Sequence, residues 1–299
     1  MVRDISKISY FRELWVRFFE ALGKLAYDAA DDIVALYEAN RQRQITDGAQ
    51  AARTRNIPNG VDVEGLAPLV GKRVERPRNV VALIGRVVPI KDIKTFIRAL
   101  FIALRTMPDI EGWIVGPEEE DPAYAQECRA LARSLGLGNN VKFLGFQRID
   151  EILPKVDVIA LTSISEALPL VVLEGFAAGV PSITTNVGAC RQMIEGYGDE
   201  DRALGAAGSV VPIANPAAFA QAVLDLLGDG PRWLAAQKAG LARAQRFYTE
   251  KQMIDQYRVL YQRLMAAPSR ANGAEVARGG CPMHAGRAAE QAARADEVR

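Results

Sequence analysis

The sequence predicts an α/β protein built on a doubly wound parallel sheet, and three observations carry that expectation. From residue 79 onward, short β-branched runs alternate with amphipathic helical segments. The runs are continuously apolar rather than alternating, as strands buried on both faces are. A helix-length segment follows each run, which implies βαβ units with right-handed crossovers.

The expected strands are VVALIG (80–85), GWIVG (112–116), VKFLG (141–145), DVIALTS (157–163), PSITTN (181–186) and SVVPI (209–213). Helical patterns lie between them at 92–107, 122–135, 169–178 and 215–227, and two more at 230–247 and 249–265 finish the ordered part. Residues 1–51 read differently. Ile8, Phe11, Trp15, Phe18, Leu22 and Leu25 recur at helical spacing, and a short strand, DIVALY (32–37), and a helix at 38–47 follow. One strand with two helices closes no core of its own. The stripe is therefore expected to be the core face of a domain whose other strands are absent. The turn-rich IPNGVD (57–62) reads as an interdomain connection, with Asn59-Gly60 suited to positive φ. The organisation expected is a helix–strand–helix segment at 1–56, an α/β unit at 57–265 and a tail at 266–299. The tail is rich in Ala, Arg, Gly and Glu, with almost no large apolar side chains, and is expected to be disordered.

Composition narrows the function classes. The 299 residues are 49% hydrophobic and 24% charged, as in an ordinary globular protein. A net charge of +1 gives no global attraction to nucleic acid or an anionic membrane. Cys128, Cys190 and Cys281 are scattered, which argues against a disulfide framework and fits a reducing compartment. Asp4, Arg12 and Glu13 interrupt any secretory apolar run, and no stretch approaches the roughly 18 apolar residues of a membrane span. A cytoplasmic chain is expected, with any membrane association coming through partner proteins.

Ligands of open parallel sheets bind beyond the carboxyl ends of the strands, so the residues there are informative. They are Gly85-Arg86 with Lys91 five residues on, Gly116, Gly145-Phe146, the Ser163–Glu166 segment, and Asn186-Val187-Gly188. Glycine lets backbone approach a ligand closely. Arginine offers a planar fork matched to phosphate oxygens, and lysine adds a compact charge. A diphosphate leaving group needs such a pair, although Arg86 and Lys91 also read as a solvated loop pair. The second constellation is EALPLVVLE, in which Glu166 and Glu174 are separated by seven residues. Pro169 suits the first helical position, so the N–H groups of Leu170 and Val171 would point out of the helix toward an anion. Glu174 sits in the apolar run VVLEGFAAG, where an unpartnered carboxylate is costly. Carboxylates at these positions can accept from the hydroxyls of a sugar and a ribose.

The Gly-Arg…Lys pair, the two glutamates and the IPNGVD connector resemble the C-terminal domain of family 4 retaining glycosyltransferases of the GT-B fold. The fuller wording, RTRNIPNGVD, GRVVPIKDIKTFI, GPEEEDPAYAQEC, LGFQRIDEILPKVDV and SISEALPLVVLEGFAAGVP, is similar to the glycosyltransferases of Pel exopolysaccharide synthesis and covers residues 1–265. The resemblance implies a Rossmann-like donor domain, a UDP-sugar donor such as UDP-glucose, a glycan acceptor and assembly with inner-membrane Pel proteins. It implies that Arg86 and Lys91 bind the diphosphate, with Gly85 and Gly116 beside the donor. Glu166 would contact the transferred sugar, Glu174 the ribose, the backbone around Phe146 the uracil, and the Leu170 and Val171 amides a phosphate. Many relatives have glycine where this chain has Pro169, which bears on loop geometry and sugar preference.

GT-B enzymes place acceptor binding in an N-terminal domain, often with a histidine near the donor sugar. Here the one histidine is His284, in the tail, and residues 1–51 match only a last portion of such a domain. Three alternatives therefore stand beside a transferase: a non-catalytic UDP-binding subunit of a membrane polysaccharide-synthesis complex, a sugar-nucleotide epimerase, and an interaction module that docks through its aromatic N-terminal stripe. No metal or cofactor is expected. Asp199-Glu200-Asp201 reads as a loop without the strand context of a metal site, and Cys281 and His284 supply only two ligands. Glu118–Asp121, just ahead of Pro122, reads as a helix N-terminus.

Overall fold

In the computed structural model, residues 5–71 and 77–266 are described, with side chains described from residue 13 onward. The N-terminal part holds α1 (Ile5–Ala29), β1 (Ile33–Ala35), α2 (Glu38–Thr46) and β2 (Thr54–Asn56). β1 and β2 pair in parallel. The second strand is Thr-Arg-Asn, with no apolar run to announce it. Trp15, Phe18, Phe19, Leu22 and Leu25 of α1 are 50–66% exposed. Nothing described covers this stripe, because a two-stranded sheet is too small to bury a 25-residue helix. Its Ile8 and Phe11 side chains, and the tail with Cys281 and His284, lie outside what is described.

The connector then leads into α3 (Val63–Val70) and the main sheet. Its six strands are β3 (Val80–Ile84), β4 (Glu111–Val115), β5 (Val141–Gly145), β6 (Val158–Leu161), β7 (Ser182–Thr185) and β8 (Gly208–Val211). All pair in parallel, in the order β5-β4-β3-β6-β7-β8. The chain winds outward from β3 on one flank and from β6 on the other. The order therefore reverses between β3 and β6, which is the ligand crevice of doubly wound sheets. The helices are α4 (Ile93–Ala103), α5 (Pro122–Ser134), α6 (Ile149–Ile152), α7 (Leu170–Ala177), α8 (Cys190–Glu195), α9 (Gly198–Arg202), α10 (Pro216–Leu227), α11 (Gly230–Phe247) and α12 (Glu250–Ala266). Residues 259–266, the end of α12, are the described part of a second compact unit.

Alternation along β3 feeds two core layers. Val81 and Leu83 join Phe96, Ile97, Leu100 and Phe219 on one face. Val80 and Ala82 join Val172, Leu173, Phe176 and Met193 on the other. β6 and β7 are buried along their whole length, which explains the continuous apolar character of β6, whereas β7 buries Ser182, Thr184 and Thr185 beside Ile183. Asp62, Asp92, Asp121, Asn215 and Asp229 accept backbone N–H bonds as N-caps, so the helix starts are written in the sequence.

Two expectations are corrected here. Asn59 and Gly60 do not adopt positive φ. Gly60 is required for a different reason: a Cβ there would stand 2.6 Å from the Glu250 Cα and the Thr249 oxygen. The Asp199–Asp201 run is not a loop but lies within α9. Asp201 is buried and takes Arg243, while Glu200 pairs with Arg246. The acids are thus spent on holding α9 to α11.

Candidate functional site

Two loops leaving neighbouring strands build the site. The β3–α4 connection carries Gly85, Arg86 and Lys91, and the β6–α7 connection carries Ser163 and Glu166. They are stitched together at the switch point. The Ile164 N–H donates to the Ile90 oxygen at 2.9 Å, and the Thr162 hydroxyl donates to the Lys91 oxygen at 2.9 Å. From β7, the Thr185 hydroxyl donates to the Ser163 oxygen at 2.6 Å. On this frame Lys91 Nζ lies 2.6 Å from Glu166 Oε1, with the two side chains 18% and 15% exposed. The Ser163 hydroxyl donates to the same carboxylate oxygen at 2.7 Å. Oε2 of Glu166 has no partner among the described residues.

Two glycines let the backbones close around this pair. A Cβ on Gly116, at φ 150°, would stand 2.0 Å from the Gly85 oxygen. A Cβ on Gly188, at φ 51°, would stand 2.3 Å from the Glu166 oxygen. Gly188→Ala is accordingly expected to cost about 1–3 kcal/mol of stability through forced backbone movement. It should also displace Glu166, and urea unfolding alongside ligand titration would read both effects.

α7 begins one residue later than the sequence suggests. Pro169 is the N-cap, at φ −71° and ψ 120°, and the helix opens at Leu170. The Leu170 and Val171 N–H groups have no acceptor among the described residues, whereas Val172 bonds back to the Pro169 oxygen at 3.3 Å. Two donors and the positive end of a helix dipole are thus unused beside Glu166. Asn59 of the connector fixes this turn by donating to the Leu168 oxygen at 3.1 Å. Glu174 lies about one turn into the helix, half-buried, and its carboxylate has no hydrogen bond or ion pair among the described residues. Burial therefore pushes its carboxyl above the ordinary value.

The remaining expected residues are arranged less tightly. Arg86 is forked onto Glu120 at 2.6 and 2.7 Å rather than joining Lys91, and both partners are about half exposed. Glu120 belongs to the Glu118–Asp121 run. In that run Asp121 caps α5 as expected, and Glu118 pairs with Arg129. Phe146 is 77% exposed, on the turn after β5, next to Gly116 through the bond from the Gly116 N–H to the Gly145 oxygen at 2.8 Å. Burial pushes the Cys128 and Cys190 thiols up to about 11 and about 12, so both stay protonated at neutral pH. Among the described residues no group of three His, Cys, Asp or Glu is placed to hold a metal ion, and no helix is long and apolar enough to cross a membrane.

Sequence reading missed the hydroxyls of Thr162 and Thr185 and the role of Glu120. Threonines at strand ends are a fair signal for loop stitching, whereas the Arg86–Glu120 contact spans 34 residues and leaves no local trace.

Residues 78–229, half of the chain, match the family described as Glycosyl transferases group 1, and residues 1–52 match a domain of unknown function, DUF3492. The chain is 30% identical over 241 residues to the D-inositol 3-phosphate glycosyltransferase of Kineococcus radiotolerans, covering 74% of this chain and 54% of that protein. It is 33% identical over 207 residues to the exopolysaccharide phosphotransferase SCO2592 of Streptomyces coelicolor, covering 67% of this chain and 20% of that one. The chain thus spans about half, or less, of the length of these curated relatives. Among solved structures, Anabaena Alr3699/HepE in complex with UDP and glucose superposes with a TM-score of 0.67 at 22% identity, covering 81% of this chain and 66% of that one. The sucrose-phosphate synthase of Thermosynechococcus elongatus gives a TM-score of 0.67 at 23% identity, covering 83% and 62%. The shared fold is the Rossmann-like C-terminal domain of GT-B glycosyltransferases.

Proposed function

The chain belongs to the group 1 glycosyl transferases, and on that premise we propose that it transfers glucose from UDP-glucose, with retention at the anomeric carbon, to a growing exopolysaccharide. The observation that carries this reading is the Lys91–Glu166 pair at the strand-order switch, followed along the chain by two unused amides at the start of α7 and, one turn on, a Glu174 carboxylate without a partner among the described residues. Lys91 and the amides of Leu170 and Val171 would hold the diphosphate and stabilise the charge that builds on it as the glycosidic bond breaks. Oε2 of Glu166 would accept from a hydroxyl of the transferred sugar, and Glu174 from the ribose. The backbone at Phe146 would meet the uracil. Arg86 would leave Glu120 for the diphosphate, at small cost, since an exposed ion pair contributes little. The donor is a substrate, and the proposed reaction uses no metal or cofactor. The resemblance to Pel glycosyltransferases supports a place beside inner-membrane Pel proteins.

A second reading is a UDP-binding subunit without turnover, since Lys91, Glu174 and the two amides would account for holding UDP by themselves. Calorimetry with UDP, combined with assays of UDP-glucose hydrolysis and transfer, separates the two: binding with turnover supports the transferase, and binding alone supports the subunit.

Glu174 gives a prediction of opposite signs. Its raised carboxyl holds a proton to higher pH folded than unfolded, so the folded state loses stability as pH rises from the ordinary value of 4.5 through the raised one. Glu174→Gln should therefore raise the Tm of the unliganded chain at pH 7 but not at pH 4. The same change removes a charged acceptor for ribose hydroxyls and should weaken UDP binding by about tenfold or more. A Tm series at the two pH values and a UDP titration check both halves.

A further inference from the structure

Asn59 lies on the connector, 109 residues in sequence from the turn it touches. Its Nδ2 donates to the Leu168 oxygen at 3.1 Å, and among the described residues no other donor reaches that oxygen. Leu168 is buried and stands one residue ahead of Pro169, the N-cap of α7. The bond therefore holds the peptide plane through which the chain enters the helix. Little freedom separates that plane from the first unused amide. A peptide unit is rigid, and the proline ring locks φ, here −71°. Only ψ of Pro169 remains between the Leu168 carbonyl and the plane that carries the Leu170 N–H. The Pro169 oxygen, on that second plane, is held in turn by the Val172 N–H at 3.3 Å. The Leu170 donor is thus pinned from both sides, and the Val171 donor follows it one residue into the helix.

Asn59 is itself carried on anchored backbone. Two residues before it, the buried Ile57 donates its N–H to the Ala35 oxygen of β1 at 2.9 Å. Two residues after it, the Val61 N–H donates to the Tyr248 oxygen at 2.8 Å, and the Val61 oxygen accepts from the Glu250 N–H at 2.9 Å. Between these points Gly60 packs directly on the backbone of Thr249 and Glu250. The carboxamide is therefore presented to α7 from a strut fixed to β1 at one end and to the α11–α12 junction at the other.

Resting on the donor reading above, we infer that Asn59 is a positioning residue for the diphosphate. It aims the Leu170 and Val171 amides by fixing the Leu168 carbonyl, and so sets the anion site in its binding geometry before ligand arrives. Donors held in place need no ordering on binding, whereas a turn free to swing must be ordered by the ligand, which lowers affinity. The effect falls on the phosphates. The base is assigned to the turn after β5 and the ribose to Glu174, both beyond the segment that Asn59 holds.

The test uses the full chain, with calorimetric titration of UDP beside an NMR titration of uridine, which keeps the base and ribose but lacks the phosphates. Asn59→Ala is expected to weaken UDP binding about three- to tenfold, the usual effect of one such hydrogen bond, and to leave uridine binding within about twofold. Asn59→Asp should weaken UDP binding further, because it sets an acceptor against the Leu168 oxygen where a donor stood. Asn59→Ser should match alanine, since its hydroxyl ends one bond short of the Nδ2 position. Asn59 is only half-buried, so the variants should fold. UDP affinity unchanged in Asn59→Ala and Asn59→Ser, or uridine weakened as much as UDP, overturns the inference and leaves the donor reading standing. Failure of the unaltered chain to bind UDP overturns the donor reading, and this inference with it.

Discussion

Lys91→Ala is expected to lower turnover of UDP-glucose about a hundredfold while leaving the fold intact. Removing one preorganised donor aimed at developing charge costs on the order of 3 kcal/mol of transition-state stabilisation. Lys91 meets the geometric requirement for such a donor. It is held in a short helical turn, its carbonyl is fixed by Thr162, and its amine is only 18% exposed. In the free chain that amine rests on Glu166, so its position is set before ligand arrives. The variant would leave Glu166 with Ser163 as its remaining partner and should lose some thermal stability as well. Lys91→Arg is not expected to restore full activity, because a fork replaces a point charge in a space bounded by Gly85. Donor hydrolysis and transfer rates measured for the three proteins check this, and unchanged rates in Lys91→Ala would remove the assignment.

The second large effect is structural. Arg243→Leu is expected to destabilise the chain by about 3–5 kcal/mol, the usual result of breaking one side of a buried ion pair. Arg243 is fully buried on α11 and spends all five of its N–H bonds. Nε donates to Asp201 at 2.5 Å, and the two terminal nitrogens donate to the carbonyls of Met193, Ile194, Asp201 and Gly205. Leucine would strip the buried Asp201 carboxylate of its cation and remove one donor from each of four carbonyls, of which those of Ile194 and Asp201 keep a backbone N–H. Asp201 would keep only the Tyr197 N–H. Urea unfolding gives the difference directly. Adding Asp201→Asn to Arg243→Leu should recover part of the loss by removing the stranded charge, whereas strictly additive losses would mean that the pair is not coupled. The bonds of Arg243 thus tie α8 and α9 to α11.

The sequence made the sheet legible because four of its central properties are local. Burial on both faces writes continuous apolar runs at β3 and β6. Helix starts are marked by the capping residues Asp92, Asp121, Asn215 and Asp229. The glycines that follow the strands mark close backbone approach, and Lys91 and Glu166 stand at the loop positions that topology brings together. What stayed hidden depends on long-range contact. β2 is Thr-Arg-Asn and is a strand only because β1 lies beside it. α9, Gly-Asp-Glu-Asp-Arg, has the composition of a loop and is helical because Arg243 and Arg246 reach its acids from α11. The Asn59-Gly60 pair has the chemistry of a positive-φ turn, yet the packing of Glu250 against Gly60 decides its use instead. Arg86 reads as a phosphate ligand, and only coordinates reveal that Glu120 holds it in the free chain. The aromatic face of α1 is periodic enough to predict a helix, but periodicity does not say what covers it.

The central claim is that Lys91 and the first turn of α7 grip a pyrophosphate at the reversal of strand order. A crystal structure of the chain with UDP tests it most directly. The account predicts the diphosphate within hydrogen-bond reach of Lys91 Nζ and the Leu170 and Val171 amides, with the ribose hydroxyls on Glu174. UDP seated elsewhere on the chain, with the Lys91–Glu166 pair undisturbed and Glu174 still unpartnered, would contradict it.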